Sequence, residues 1–247
     1  VKALVDKAMA NGMRGIALTD HGNMFGIKEL TDYVNKKNKD VDGEIKNLKK
    51  TIEELKSADA VDQEALSKAE TALKEAESKI FTPIIGCEMY VADNDMTDRS
   101  NKKDIGRHLI VLAKNQHGYH NLIKLVSNAW TNGYYYHPRT DKKQLEKYHE
   151  DLIVCSACLG GEVPKLITAG HIEEAEKSIL WFKKVFGEDY YLELQRHKAT
   201  VARANQEAYP LQQEVNKVLI EMSKKHNIKL VCTNDCLLYT SDAADDS

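Results

Sequence analysis

The chain has 247 residues, a length at which a single α/β domain with a sizeable core is common. Its formal net charge of −3 excludes a broadly basic nucleic-acid-binding surface, so any contact with DNA must be local. Five cysteines follow no regular framework, and the sequence shows no signal peptide and no apolar run of membrane-spanning length. We therefore expect a reducing, cytoplasmic location and no membrane partner.

The first elements predict a helix and a strand that ends in a sharp turn. Apolar residues at helical spacing precede the apolar run 15–18, which is typical of a buried parallel strand. Asp20 and His21 follow it, where side chains of α/β folds point into a pocket mouth. An imidazole often binds a metal, and a nearby carboxylate can ligate too. Taken alone, however, an Asp-His pair in this position is more often a helix N-cap with a hydrogen-bonded histidine.

Composition changes abruptly between residues 36 and 80. Lys, Glu, Asp and Ala dominate there, and apolar residues keep alternating spacings of three and four on both sides of residues 57–62. This pattern predicts an inserted antiparallel coiled-coil hairpin. The alternative is a charged disordered linker, which would not keep apolar residues in heptad register.

Potential metal ligands recur near the ends of later apolar strands, at Glu88, His108, Cys158 and Asp235. Each has an ordinary alternative: a strand-edge charge, a core histidine, a small buried hydrophobe and an Asx-turn. Four such roles in register are less expected than one site. Mixed imidazole, carboxylate and thiolate donors suit Zn, Mn or Fe better than Ca or Mg.

The pair Cys155 and Cys158 is formally a C-x-x-C motif, which leaves redox or zinc-ribbon use open. The sequence has no second such motif to complete a tetrahedral zinc site. We therefore expect Cys158 to be a metal ligand and Cys155 to be a buried strand residue.

Two other groups of residues are candidates for substrate contact. Asp20, Glu193, Arg196 and His197 stand at strand exits, where charged side chains can orient metal ligands or grip a substrate phosphate. A second group forms an aromatic and basic loop, made of Tyr134, Tyr135, Tyr136 and Arg139. That loop predicts either base stacking with a phosphate contact or packing onto a neighbouring domain.

Seven segments, in order and at nearly the family's spacing, resemble the PHP (polymerase and histidinol phosphatase) domain at the N-terminus of bacterial replicative DNA polymerase III alpha subunits. They are ALTDHGNMFG, PIIGCEMYVA, HLIVLAKN, NLIKLVSNAW, SACLGGEVP, YYLELQRH and CTND. The resemblance covers nearly residues 1–235, apart from the insertion. It implies a TIM-like, distorted (βα)7 barrel with a multinuclear metal centre at the strand C-termini. It also implies that five residues occupy ligand positions for divalent metal, with Zn or Mn favoured: His21, Glu88, His108, Cys158 and Asp235.

The chain departs from the family pattern in two places. The family's first strand, with its His-x-His pair, would precede Val1, and Leu237 stands where the closing motif has a histidine. About nine ligands are expected for such a centre, so this incomplete set predicts weak metal binding and no detectable DNA hydrolysis by the chain alone. Residues 236–247 resemble a translated sequencing adapter, which predicts a non-native tail; a real acidic tail is the alternative.

The resemblance implies a fragment of a DNA-directed DNA polymerase, a nucleotidyltransferase of DNA replication. Its partners would be DNA, other replisome subunits and the remaining polymerase domains, and the polymerase active site would lie outside this segment. Clustered divalent metals favour phosphoester hydrolysis, which in some family members is a 3′-5′ exonuclease activity. The alternatives are a degenerate, purely structural PHP module and a free-standing PHP phosphoesterase; the segments SACLGGEVP and YYLELQRH argue against the latter.

Overall fold

The computed structural model describes residues 1–57, 62–197 and 202–234. The chain divides into two compact units: the first comprises residues 1–18 and 25–85, and the second comprises residues 19–24 and the chain from Gly86 onward. The candidate ligand Asp235 and the tail 236–247 lie outside the described residues. Within those residues, no helix combines the length and apolar character needed to cross a bilayer.

The first unit consists of short N-terminal elements and a pair of long helices. In chain order these are α1 (Lys2–Ala10), β1 (Gly15–Leu18), α2 (Ile27–Ser57), α3 (Gln63–Lys79) and the first part of β2 (Thr82–Val91). β1 pairs in parallel with residues 82–85, as the apolar run predicts, although Ala17 is exposed and the strand is only partly buried. Its core contains five buried side chains: Val5, Ala8, Leu30, Val34 and Phe81.

The helices α2 and α3 pack against each other in antiparallel orientation. Three exposed ion pairs run in opposite order along the two helices: Glu44 with Lys79, Lys49 with Glu77 and Lys56 with Glu70. Exposed pairs of this kind contribute little to stability, but they match one orientation of the helices. α2 has no break near residue 36, since its Lys- and Glu-rich sequence favours one continuous helix. The coiled-coil packing of this segment stays a prediction, and residues 58–61 lie outside the described chain.

Asn38 fastens α2 to the start of β2. This buried side chain donates to the carbonyl of Phe81 at 2.8 Å and accepts from its N–H at 3.1 Å. Replacing Asn38 with alanine is expected to lower the free energy of unfolding by about 2 kcal/mol, because both buried backbone groups lose their partner. Asn47→Ala, on an exposed face of the same helix, should change it by less than about 0.5 kcal/mol. Urea denaturation measures both variants, and equal losses would contradict the prediction.

The second unit is an α/β structure built on one sheet. Besides the rest of β2 it contains, in chain order, β3 (Arg107–Ala113), α4 (Gln116–Thr131), β4 (Tyr134–Tyr135), β5 (His137–Thr140), α5 (Lys142–Lys147), β6 (Leu152–Cys155), α6 (Glu162–Thr168), α7 (Ile172–Phe186), β7 (Tyr190–Gln195), α8 (Ala202–His226) and β8 (Lys229–Thr233). Neighbouring strands follow the order β4, β5, β2, β3, β6, β7, β8.

The sheet of the second unit is mixed rather than parallel throughout. β2 pairs with β5 in parallel, and so do β6 with β7 and β7 with β8. β3 is antiparallel to both β2 and β6. The connection 92–106 contains no helix, so the chain returns directly beside β2 in the opposite direction. This is where the expected alternation of strands and helices is interrupted.

Candidate metal centre

Three of the predicted ligands converge in the second unit. Glu88 lies on β2, His108 lies on β3, and Cys158 follows β6. Glu88 pairs with Ile110 across the ladder, so His108, two residues before Ile110, projects from the same face of the sheet. Nδ1 of His108 is 2.7 Å from Oε1 of Glu88 and 3.4 Å from Sγ of Cys158. One ligand atom from each residue lies within 4.8 Å of the other two.

The charges of this cluster favour a cation at its centre. Glu88 is only 6 % exposed, and its Oε1 forms a close ion-pair contact with Nδ1 of His108. Burial of the imidazole lowers the pKa of His108, but Cys158 and Glu88 outweigh burial and raise that pKa to about 10. A pocket that favours positive charge between a carboxylate and a thiol suits a divalent metal ion.

His21 stands at the rim of the same cluster. Its Nε2 is 3.7 Å from Oε2 of Glu88, and its Nδ1 is 3.1 Å from the hydroxyl of Tyr90. Backbone hydrogen bonds extend β-type pairing to this turn, because Gly22 donates to the Glu88 carbonyl and Glu88 donates to the Asp20 carbonyl. The next helix begins only at Ile27, so the Asp-His pair does not form the N-cap that the ordinary alternative requires.

The loop that carries Cys158 packs closely against His108. The His108 N–H donates to the carbonyl of Gly160, and the Gly160 N–H donates to Sγ of Cys158. A Cβ on Gly160 would lie 2.7 Å from Nδ1 of His108, so only glycine fits this approach. Ala157, just before the ligand, has a φ of +62°, an unfavourable conformation for a residue with a side chain.

Glu193 on β7 holds that strained segment. Its Oε2 accepts from the Ala157 N–H at 3.1 Å, and its own N–H donates to the Ser156 hydroxyl at 2.8 Å. Its Oε1 accepts from the side chains of Gln195 and Thr233. Burial raises the pKa of Glu193 even though these hydrogen bonds oppose the rise. Glu193 thus connects the Cys158 loop to β8, and its role in orienting a metal ligand stays a prediction.

Two other strand-exit candidates, Arg196 and His197, contact α8. Arg196 is exposed, and its Nε donates to the Tyr209 hydroxyl at 3.1 Å. His197 is held by Gln212, which accepts from its backbone N–H and contacts its Nδ1. Phosphate binding by Arg196 or His197 therefore stays a prediction.

The structure corrects the expectation for Arg139. This side chain is fully buried, so it cannot reach a phosphate as predicted. Its guanidinium donates to the carbonyls of Met96, Asp98 and Asp104 at 2.7–3.0 Å and lies 3.3 Å from the Asp104 carboxylate. Arg139 instead fixes the loop between β2 and β3, which contains these three residues.

The aromatic part of the loop is more exposed. It contacts Trp130, a residue of α4 that the sequence analysis did not identify. Tyr134 and Tyr136 are exposed, while Tyr135 is half-buried. Trp130, at the end of α4, stacks on Tyr134 with ring centroids 5.5 Å apart, and its indole N–H donates to the Gly22 carbonyl at 2.8 Å. The signal in the sequence was a tryptophan only four residues before Tyr134.

Comparisons with known proteins agree on one family. Residues 1–197 match the family described as PHP domain. DNA polymerase III subunit alpha of Borreliella burgdorferi is 39 % identical over 240 residues, which cover 95 % of this chain and 16 % of the relative. The proteins of the same name from Treponema pallidum and Chlamydia trachomatis are 35 % and 32 % identical, each over 95 % of this chain and 16 % or 17 % of the relative. The chain therefore spans about one sixth of the length of these relatives.

Proposed function

Because the chain belongs to the PHP domain family, we propose that it serves as the PHP region of a DNA polymerase III alpha subunit. The family match confirms the resemblance and the α/β class predicted from the sequence. The relatives are named as polymerase subunits, which does not favour the free-standing phosphoesterase. DNA synthesis, with DNA and replisome subunits as partners and the bacterial cytoplasm as location, is proposed for the longer protein, whose polymerase active site lies elsewhere.

For the complete PHP site of the longer protein we propose divalent metal binding and phosphodiester hydrolysis, with weak metal binding by this segment alone. The observation that supports it best is the convergence of Glu88, His108 and Cys158, whose ligand atoms lie within 4.8 Å of one another around a buried carboxylate. These three residues would hold a metal ion, with His21 at the rim and Asp235 as a further ligand. The thiolate and imidazole donors favour Zn, and Mn is the second candidate.

A divalent ion held by these residues would supply Lewis-acid chemistry for phosphodiester hydrolysis. The chain's own residues prepare the site for this chemistry. When Nδ1 of His21 donates to the Tyr90 hydroxyl, the lone pair of Nε2 faces Glu88. Glu193 fixes the segment before Cys158, so that the thiol is presented next to His108.

Cobalt spectroscopy tests the thiolate ligand. The purified chain titrated with Co²⁺ is expected to develop a sulfur-to-cobalt charge-transfer band in the near ultraviolet, and Cys158→Ser should abolish it because the only thiol in the cluster is lost. Cys232→Ser is the matched control, since Cys232 is exposed and should leave the band intact. Spectroscopy is preferred to a nuclease assay because weak metal binding is predicted for this chain alone.

Two outcomes would contradict the proposal. A band that survives in Cys158→Ser would place cobalt on another cysteine. If neither the parent chain nor the Cys232→Ser chain develops a band at saturating Co²⁺, the segment acts as a structural module instead.

A further inference from the structure

We propose that an exposed surface beside the metal centre binds single-stranded nucleic acid by stacking its unpaired bases. We call it the stacking surface, and it consists of the rings of Trp130, Tyr134 and Tyr136. Arg99, Lys102 and Lys103 lie on the loop between β2 and β3, which Arg139 joins to β5. The inference rests on the proposed function and deepens it, because it identifies how a single-stranded polynucleotide would be held next to the hydrolytic site.

The aromatic residues of the stacking surface offer exposed rings. Trp130 and Tyr134 are stacked at an interplanar angle of 25° while 45 % and 47 % exposed. Tyr136 is 63 % exposed and has a φ of +59°, so a strained backbone position presents a large ring to solvent. Aromatic rings of this kind bind bases of any sequence, because every base has a π-face.

Direct contacts fasten this surface to the metal centre. The Trp130 indole is hydrogen bonded to the carbonyl of Gly22, the residue after His21. Pro138 packs so closely on Gly22 that an added Cβ would lie 2.6 Å from its Cγ. His137 stacks on Tyr90 at 4.4 Å, and the Tyr90 hydroxyl contacts His21. A polynucleotide stacked on this surface would therefore lie beside the turn that carries the candidate metal ligand His21.

The loop held by Arg139 supplies positive charge. Its acidic residues are largely neutralised, because Asp93 pairs with Arg107, Asp95 with Lys143 and Asp104 with Arg139 itself. The remaining acidic residue of the loop is Asp98, and the loop also carries three exposed cations: Arg99, Lys102 and Lys103. The Arg139 guanidinium lies over the Tyr135 ring, 5.0 Å from its centroid, while it holds three carbonyls of this loop, so the loop is joined to the strands that carry the aromatic residues.

This combination favours a polynucleotide over a protein as the occupant. Lysine is depleted in the cores of protein interfaces, whereas exposed lysine and arginine on a loop joined to the strands that carry the exposed rings match phosphates joined to bases. Unpaired bases are required because the bases of a duplex already stack on each other. The Arg139 side chain contributes by holding the cationic loop and does not itself contact the ligand.

Tryptophan fluorescence tests the proposal directly. The chain has two tryptophans, so Trp181→Phe leaves Trp130 as the only reporter. A thymidine dodecamer, added at low salt with EDTA present, is expected to bind and quench Trp130. An abasic oligonucleotide with the same number of phosphates should bind more weakly and should not quench. The presence of EDTA makes the result independent of metal binding.

Matched variants separate stacking from charge. Tyr134→Ala should weaken dodecamer binding by about 5- to 100-fold, whereas Tyr134→Phe keeps the ring and the affinity. Alanine at Arg99, Lys102 and Lys103 together should reduce the slope of log affinity against log salt by roughly 2. Alanine at Lys36, Lys39 and Lys46, exposed lysines of α2, makes the same change in net charge and should leave binding unchanged.

Several results would overturn the stacking surface. Absence of dodecamer binding at low salt would do so and would assign the aromatic face to a protein partner. Equal quenching by the abasic strand, or equal losses in the two triple variants, would also overturn it. If the dodecamer quenches Trp130 but Co²⁺ gives no charge-transfer band, the stacking surface is supported and the hydrolytic function fails separately.

Discussion

Replacing Arg139 with leucine is expected to lower the free energy of unfolding by about 3–5 kcal/mol, because the change leaves the buried Asp104 carboxylate without its cation. The carbonyls of Met96 and Asp98 lose a donor as well. The Arg139→Lys variant should recover little of this loss, since an ammonium group cannot reproduce the planar fork that reaches several carbonyls at once. Urea denaturation followed by far-ultraviolet circular dichroism measures the effect.

Arg107 provides the matched control for this prediction. It forms an ion pair with Asp93 at 2.9 Å, but both side chains are about one third exposed. Arg107→Leu should therefore cost no more than about 1 kcal/mol. Similar losses for the two arginines would show that burial does not govern the role of Arg139. An Arg139→Leu chain that fails to fold, beside a folded Arg107→Leu chain, agrees with the expected order.

The sequence was sufficient to bring Glu88, His108 and Cys158 into one candidate site. Each residue lies on or just after an apolar strand, and strands of one sheet bring such positions together once their register is set. The antiparallel return of β3 could not be predicted in this way. Strand direction depends on the connection, and the connection 92–106 has no periodic pattern from which its course could be inferred.

Arg139 and Trp130 show where local patterns are insufficient. Three tyrosines beside an arginine are typical of an exposed recognition loop, but Arg139 is buried by carbonyls more than thirty residues away in sequence. Trp130 is a large apolar residue near the end of α4, yet it is 45 % exposed and its indole N–H reaches the Gly22 carbonyl, 108 residues away in sequence. Whether a long polar or aromatic side chain is buried or exposed depends on such distant contacts, which cannot be inferred from the periodicity of the sequence.

Glu193 is the residue through which the structure makes its most specific prediction about the metal centre. Glu193→Ala should weaken Co²⁺ binding by about 10- to 100-fold, because the strained Ala157 segment before Cys158 loses the acceptor that holds it. It should also lower the free energy of unfolding by about 1–3 kcal/mol, since the donors on Ala157, Gln195 and Thr233 lose their acceptor. Glu193→Gln retains an acceptor oxygen and should keep most of the metal affinity.

The stability of the chain with Glu193 and that of the Glu193→Gln variant should also depend differently on pH. Burial raises the pKa of Glu193 in the folded chain above its unfolded value, so the folded state holds this proton more tightly. We compare the free energy of unfolding of the parent chain with that of Glu193→Gln, both without metal. The difference should fall as the pH rises from the pKa of Glu193 in the unfolded chain to its pKa in the folded chain. Below the pKa of Glu193 in the unfolded chain, the difference should become constant. If this difference instead rises with pH over the interval, the hydrogen bonds to Glu193 outweigh its burial. If Glu193→Ala leaves the cobalt affinity unchanged, Cys158 is positioned without Glu193.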